Sequence, residues 1–544
     1  MRLERVMLPE ALPLVRRYRK DFAAVAEFYS YDPRDPNSWR QRREQVLAVP
    51  GERLRVAEIL ASYNRRIGSG PRTQANIERL ADPLATVVVA GQQAGVCTGP
   101  LYTVYKALVA AALSRRLEEE LGTPVVPLFW VAGEDHDLAE IDHLHLLGSD
   151  LTWRELRVEG LPEGQVPAGW VEVGPGVFDL IHCLTETLPP GEGRRSVLDL
   201  LEGEAAQADN LAEWFARVMA RLFREQGLVM VDALDFKLRE LAAPVLAGVV
   251  RERREVARAV AAADARLAVG GFAPQVVKEA GSLHLFRFWE GERLPLHWEE
   301  DRITLRGRST GWEAGELEQR VRCFPQEFSP DVFARPLVQD HLFPVLAQVV
   351  GPGELSYHAQ LREVFARFGR QLPILYLRPS LTLVEGTVEK LMRRHGLDFP
   401  AAVGDFAAST ARYLEERDQV GIHAEFAAWR EEAARSYRQL VERVQVAAPE
   451  VRVLAEDNLR RILEQSEWLE RKAFEEHRRS CEAGLRQLRK VRENLYPRGN
   501  LQERVMNVMP FLARHGMDLL DRLGELPLLE GEGHLLVHLA EREG

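Results

Sequence analysis

Thr86-Val87-Val88-Val89-Ala90-Gly91-Gln92-Gln93-Ala94-Gly95-Val96-Cys97-Thr98-Gly99-Pro100 is the stretch that decides the fold. Val87 to Ala90 is a short, β-branched apolar run of the kind buried on both faces in a parallel sheet. A glycine-bearing turn follows. From Leu101 to Leu117 the residues Leu101, Val104, Tyr105, Leu108, Ala111 and Ala112 then recur at helical spacing. Strand, glycine turn and helix in that order open a βαβ unit.

The pattern repeats outward. Val125 to Val131 runs into Ala132-Gly133-Glu134-Asp135-His136-Asp137. Gly227 to Asp232 precedes a helical stretch from Phe236 to about Arg254. Leu346 to Val350 leads into Gly351-Pro352-Gly353-Glu354 and a helix to about Phe368, and Pro373 to Pro379 is a fifth run. Strands alternating with helices predict an α/β protein with a mostly parallel sheet. Two inserted segments, about 150–225 and 270–330, interrupt it, and Leu283–Phe288 with Arg293–Trp298 around Glu290-Gly291-Glu292 predict a β-hairpin. The first 80 residues read as helical and polar. The organisation expected is a core over 1–385, a helical arm over 386–498 and a closing segment over 499–544. In the arm, Phe426, Trp429, Tyr437, Leu440 and Val444 precede Pro449, and Leu459, Ile462, Leu469, Ala473, Cys481, Leu488, Val491 and Leu495 follow it. Steps of three and four with charged flanks predict an antiparallel coiled-coil hairpin. Leu501 to Leu523 reads as one further amphipathic helix and Leu535 to Leu539 as a last strand.

The 544 residues make three to four domain equivalents at roughly 150 residues each. Apolar residues at 46% exclude a disordered chain, and 71 basic against 82 acidic residues give a net charge of −11, which does not favour nucleic acid as a partner. The four cysteines, Cys97, Cys183, Cys323 and Cys481, are scattered and suggest no disulfide framework. Met1 to Glu10 has no apolar signal core, and no apolar run approaches about 18 residues. A soluble cytoplasmic protein without membrane contact is expected.

Four segments carry chemistry. In the first, Gly91, Gln92, Gln93, Thr98, Gly99 and Tyr102 lie where an open α/β sheet binds its ligand, and Lys106 is close enough to bend back towards it. The alternative is a tight strand–helix turn. In the second, Glu134, Asp135, His136 and Asp137 crowd three carboxylates and an imidazole at a strand end, a repulsive arrangement suited to proton transfer. A helix N-cap with first-turn acids is the plainer reading. A zinc set of His136, His143 and His145 with Glu134 or Asp137 is weighed against a packed pair of histidines, and no metal is expected. The third joins Arg335, for a carboxylate, to Glu354 and Tyr357, against a turn with a surface arginine. The fourth, Arg378, Ser380 and Thr382 with Tyr496 and Arg504, could hold a nucleotide or form the hinge of the arm. Cys97 has no evident base nearby and reads as packing.

Together, Gly91-Gln92-Gln93-Ala94-Gly95, Thr98-Gly99-Pro100-Leu101-Tyr102-Thr103, Pro127 to Asp137, Arg335-Pro336, Gly351 to Glu354 and Asn500-Leu501-Gln502-Glu503-Arg504 resemble the cysteine-adding enzymes of bacillithiol synthesis, the BshC family. The resemblance spans about 86–510. It implies a Rossmann-like core with connecting insertions, a coiled-coil arm and a homodimer formed through it. It also implies a ligase that joins cysteine through an amide to the amine of glucosaminyl malate. ATP or ADP is the nucleotide expected, because a carboxylate does not acylate an amine unaided. The His-x-Gly-His tetrad and Lys-rich serine loop of aminoacyl-adenylate enzymes are absent from the sequence. Two other readings stay open at this point: a non-catalytic nucleotide-binding scaffold acting through the arm, and a sugar or nucleotidyl transferase.

Overall fold

A computed structural model describes residues 1–539. Along the chain, β1 (Arg2–Val6) precedes helices Pro13–Lys20, Pro36–Ala48, Arg53–Arg66 and Pro71–Arg79. β2 (Thr86–Gln93), helix Leu101–Leu121 and β3 (Val125–Ala132) form the first βαβ unit. A hairpin, β4 (His143–Leu147) and β5 (Trp153–Arg157), and helices Pro175–Thr187, Arg194–Ala205 and Leu211–Leu222 lead to β6 (Val229–Asp232). Helices Phe236–Arg251 and Arg253–Val269 precede β7 (Ser282–Trp289), β8 (Glu292–Glu299), β9 (Arg302–Leu305), β10 (Gly311–Glu313) and β11 (Phe328–Pro330). Helix Ala334–Leu342, β12 (Val345–Val350), helices Pro352–His358 and Arg362–Arg367, β13 (Ile374–Leu377) and β14 (Leu381–Glu385) follow. β15 (His534–Leu539) is the last strand among the described residues.

The five strands expected from the apolar runs form one parallel sheet in the order β13-β12-β2-β3-β6. Every residue of β3 is buried, as helices on both faces require. Pro127 is tolerated inside β3 because the ladder to β6 starts only at Leu128. Helix Leu101–Leu121 ends on Gly122 in the left-handed conformation, and the chain turns directly into β3. The predicted hairpin is present as β7 and β8 within a five-stranded antiparallel sheet, order β10-β9-β8-β7-β11. β1, absent from the sequence reading, pairs with β15 in a three-stranded sheet with β14.

Two compact units emerge. The larger is made of 3–382 and 503–536, and the smaller mainly of 383–502. In the smaller unit, helices Ile422–Val444 and Val451–Ser480 run antiparallel, with the link near Pro449. Phe426 and Trp429 lie with Ile462, Ser466 and Leu469, and Glu470 takes both His423 and Arg430. The segment 501–523 departs from the single helix expected. It is three short helices, Gln502–Val505, Met509–His515 and Leu519–Gly524. Asn507 interrupts the run because its side chain accepts from the Met509 amide at 2.9 Å and donates elsewhere, and Gly516 at φ 86° ends the next turn. Among the described residues no helix is long and apolar enough to cross a membrane.

Candidate functional site

The strand order reverses between β2 and β12, and ligands of open α/β sheets bind beyond the carboxyl ends of the strands at such a switch. Lys106 closes this gap. Its Nζ donates to the carbonyl of Gly91 at 3.1 Å and to Gln92 Oε1 at 2.9 Å, and lies 2.5 Å from Glu354 Oε2. Glu354 stands in the first turn of helix Pro352–His358 and also accepts from the Gly351 amide at 2.8 Å. Burial pushes its carboxyl up, but the Lys106 ammonium and the Gly351 amide outweigh that and hold it below the usual range. Burial pulls the Lys106 ammonium down while Glu354 opposes, so the proton affinities of the two groups depend on one another. Beside it, Arg335 Nη2 donates to the Tyr357 hydroxyl at 3.0 Å. Burial works against the Arg335 charge, yet Tyr357, Glu354 and Glu134 hold its pKa above the ordinary value.

Behind this surface is a buried polar row. His358 Nδ1 donates to the Glu354 carbonyl at 2.7 Å, its Nε2 faces Gln348 at 2.8 Å, and Gln348 bonds Gln339 at 2.9 Å. Burial depresses His358 to about 4, so the ring is neutral at pH 7. A cavity of about 20 Å³ between this row, Trp130, Arg335 and Glu354 has room for one water.

The acidic turn after β3 divides its residues by environment. Glu134 is 3% exposed and its Oε2 has no hydrogen-bond partner. Burial pushes its carboxyl up, while the guanidinium groups of Arg293, Arg239 and Arg335 oppose the rise. Asp135 accepts from Gln93 Nε2 at 3.0 Å, and the same amide donates to Glu140 at 2.7 Å. Asp137 is exposed. His136 Nδ1 lies 3.3 Å from Arg293 Nη1. A guanidinium can only donate, so Nδ1 accepts and the ring proton sits on Nε2. Burial and Arg293 both lower the His136 pKa, against Asp135 and Asp137.

Several expected ligands are placed otherwise. Thr98 is 0% exposed and Gly99 is buried. Asn507 Nδ2 covers their loop, donating to the carbonyls of Cys97 at 2.8 Å and Gly99 at 2.7 Å. Thr98 and Gly99 are thus closed off from solvent and shape the turn. Gly91 answers to the protein as well, since a Cβ there would lie 3.0 Å from Trp130. Cys97 is buried, which pushes its thiol up to about 12, in keeping with packing. Arg378, expected to hold nucleotide, is buried in a two-pronged pair with Glu503 at 2.8 and 2.9 Å. Ser380 and Thr382 both bond His534, the latter at 2.8 Å. The Arg378 Nη atoms and the Ser380 and Thr382 hydroxyls are thus engaged within the protein. Tyr496 belongs to the smaller unit, where the Arg492 guanidinium covers its ring at 4.6 Å. Arg504 is exposed, and its charge, like that of Glu140, is felt at the Tyr102 hydroxyl.

Arg293, Arg239, Glu140, Asn507 and His534 were not among the candidate residues seen in the sequence, and Glu503 entered only within the Asn500–Arg504 motif. Arg293 enters from β8, more than 150 residues beyond His136, with its guanidinium 3.9 Å above the Phe286 ring and its Nε on Ser329 at 2.9 Å. The available signal was a charged residue inside an apolar hairpin strand. The loops at this end of the sheet carry both cations (Arg335, Arg504) and exposed carboxylates (Asp137, Glu140), a mixture that suits a ligand with both anionic and cationic groups.

Comparison with known proteins agrees with this architecture. Residues 1–379 match the family model described as the bacillithiol biosynthesis BshC N-terminal Rossmann-like domain, and 381–539 match its C-terminal coiled-coil domain. A Symbiobacterium thermophilum protein named "Putative cysteine ligase BshC" is 37% identical over 541 residues, covering 96% of this chain and 97% of that one. A Desulforamulus reducens protein of the same name is 33% identical over 528 residues, covering 97% of each.

Proposed function

The chain belongs to the bacillithiol biosynthesis BshC family, and on that premise we propose that it is a cysteine ligase acting on the amine of glucosaminyl malate. The observation that supports this reading is the gathering of Arg335 and Arg504 with Asp135, Asp137 and Glu140 in the loops at the carboxyl ends of the parallel strands. Arg335 suits a carboxylate of the malyl group or of cysteine, while Asp135, Asp137 and Glu140 suit the sugar ammonium and hydroxyls. In the reaction the cysteine carboxyl is first activated by ATP. The amine nitrogen then attacks the carboxyl carbon, the C–N bond forms, and the C–O bond to the activating group breaks. The amine sheds a proton, and Asp137 or Glu134 accepts it. Of the residues first expected to hold nucleotide in the larger unit, only Arg504 is open to solvent, so we assign it the phosphates.

The test is incubation of purified protein with cysteine, glucosaminyl malate and ATP. The amide product should appear with an equal amount of AMP or ADP. Nucleotide binding without turnover would favour the scaffold reading. Asp137→Asn should lower product formation without moving the thermal midpoint, and full activity would remove Asp137 from the mechanism.

We also read the arm as a dimer interface. Its two long helices bury only Ala434, Ala455 and Ser466, while Trp429, Leu454, Trp468 and Leu469 are half exposed or more. So little burial does not hold two helices together alone. Mass in solution should fall from two chains to one in Trp429→Glu/Leu469→Glu, and an unchanged dimer would refute the assignment.

A further inference from the structure

Outside the cleft, the β4–β5 hairpin gathers His143, His145 and Glu155. The two histidines are alternate residues of β4, so their side chains share a face, with ring centroids 5.1 Å apart. Glu155 stands directly opposite His145 in the antiparallel register, its Oε2 3.4 Å from His145 Nε2. That separation matches the edge of a zinc tetrahedron, about 3.3 Å for metal–ligand bonds near 2.0 Å. One ligand atom from each of the three residues lies within 4.8 Å of the other two.

The surroundings prepare these groups. Asp142 Oδ1 accepts from His143 Nδ1 at 2.9 Å, which fixes the ring proton there and leaves the Nε2 lone pair for a ligand. Arg157 Nη2 bonds Glu155 Oε1 at 2.8 Å, and Arg157 Nη1 bonds Asp142 Oδ2. Each carboxylate is thus anchored by one oxygen and presents the other to a histidine. A carboxylate behind a ligating imidazole is the usual outer support of a metal site.

We propose that His143, His145 and Glu155 bind a zinc-class divalent cation, with a fourth position open. Two imidazoles and one carboxylate suit zinc and its neighbours better than the oxygen-only preference of calcium or magnesium. This set replaces the one weighed from sequence, because His136 is held by Arg293. The site is independent of the ligase reading. His145 also bridges Met506, next to the Asn507 that clamps the glycine turn.

The test is titration of metal-free full-length protein with Co2+, followed by its visible d–d bands, and displacement with Zn2+. One equivalent of Co2+ should bind and be displaced, and Zn2+ should raise the thermal midpoint. Glu155→Gln should abolish both effects. Its side chain is 43% exposed, so the metal-free variant should melt like the parent. Asp142→Asn should weaken binding by about 10–100-fold. Absence of stoichiometric binding, or equal binding by parent and Glu155→Gln, would overturn the site and leave these contacts as a self-contained ion-pair network.

Discussion

At the carboxyl edge of the parallel sheet, Glu134 is buried among the fields of three guanidinium groups, while in the helices of the arm Arg460, Asp457 and Arg461 pair in full contact with water. Apolar side chains show the reverse. Val87, Val88 and Phe129 are wholly buried in the sheet, whereas Val453 and Leu454 of the arm are more than 70% exposed. The sheet region holds charge where water is scarce and can therefore shift proton affinities. The arm keeps its charge solvated and presents greasy surface. The first environment suits proton chemistry and the second suits association, as the proposed function has it.

The most severe way to break the contrast is Arg378→Ala. It strands the Glu503 carboxylate, whose side chain is 2% exposed, and should cost about 3–5 kcal/mol in a denaturant titration. A shift too small to measure would place the pair in water after all. Glu134→Gln comes next. It keeps the shape of the side chain and removes the ionisable group, so product formation should fall by at least about 100-fold with the fold intact. Activity within a factor of two would make Glu134 a structural counter-charge only.

A pH series sharpens the comparison further. His358 has a folded pKa of about 4 against an ordinary 6.5, because burial disfavours the charged ring. Its contribution is therefore complete above pH 6.5 and is lost as pH falls towards 4. Between pH 7 and pH 5 this should remove about 2 kcal/mol of stability. His358→Gln should flatten that part of the curve, and parallel curves for variant and parent would disprove the burial effect. The smallest expected effect lies in the arm. Arg460→Ala, whose pairs with Asp457 and Glu464 are local and solvated, should leave the thermal midpoint unchanged.

Periodicity made much of the architecture legible. The runs at Val87, Val125, Leu228, Leu346 and Ile374 each became a strand of one parallel sheet, because a strand covered on both faces must be apolar throughout. The β7–β8 hairpin and the break of the arm at Pro449 were equally local signals. Local readings failed where a distant residue supplied the reason. Leu501–Leu523 looks like one helix until Asn507 is needed to clamp Cys97 and Gly99, more than 400 residues earlier. Arg378, Ser380 and Thr382 look like ligands until Glu503 and His534 occupy them.

The sequence by itself determined the alternation of strand and helix, the glycine and acidic turns at strand ends, and the charged two-helix arm, since each follows from neighbours a few residues apart. Only the tertiary structure decided which charges meet. It gave Lys106 to Glu354, Arg293 to His136 and Arg378 to Glu503. Proton affinity and ligand access depend on burial and on partners across the fold, and no spacing along the chain encodes either.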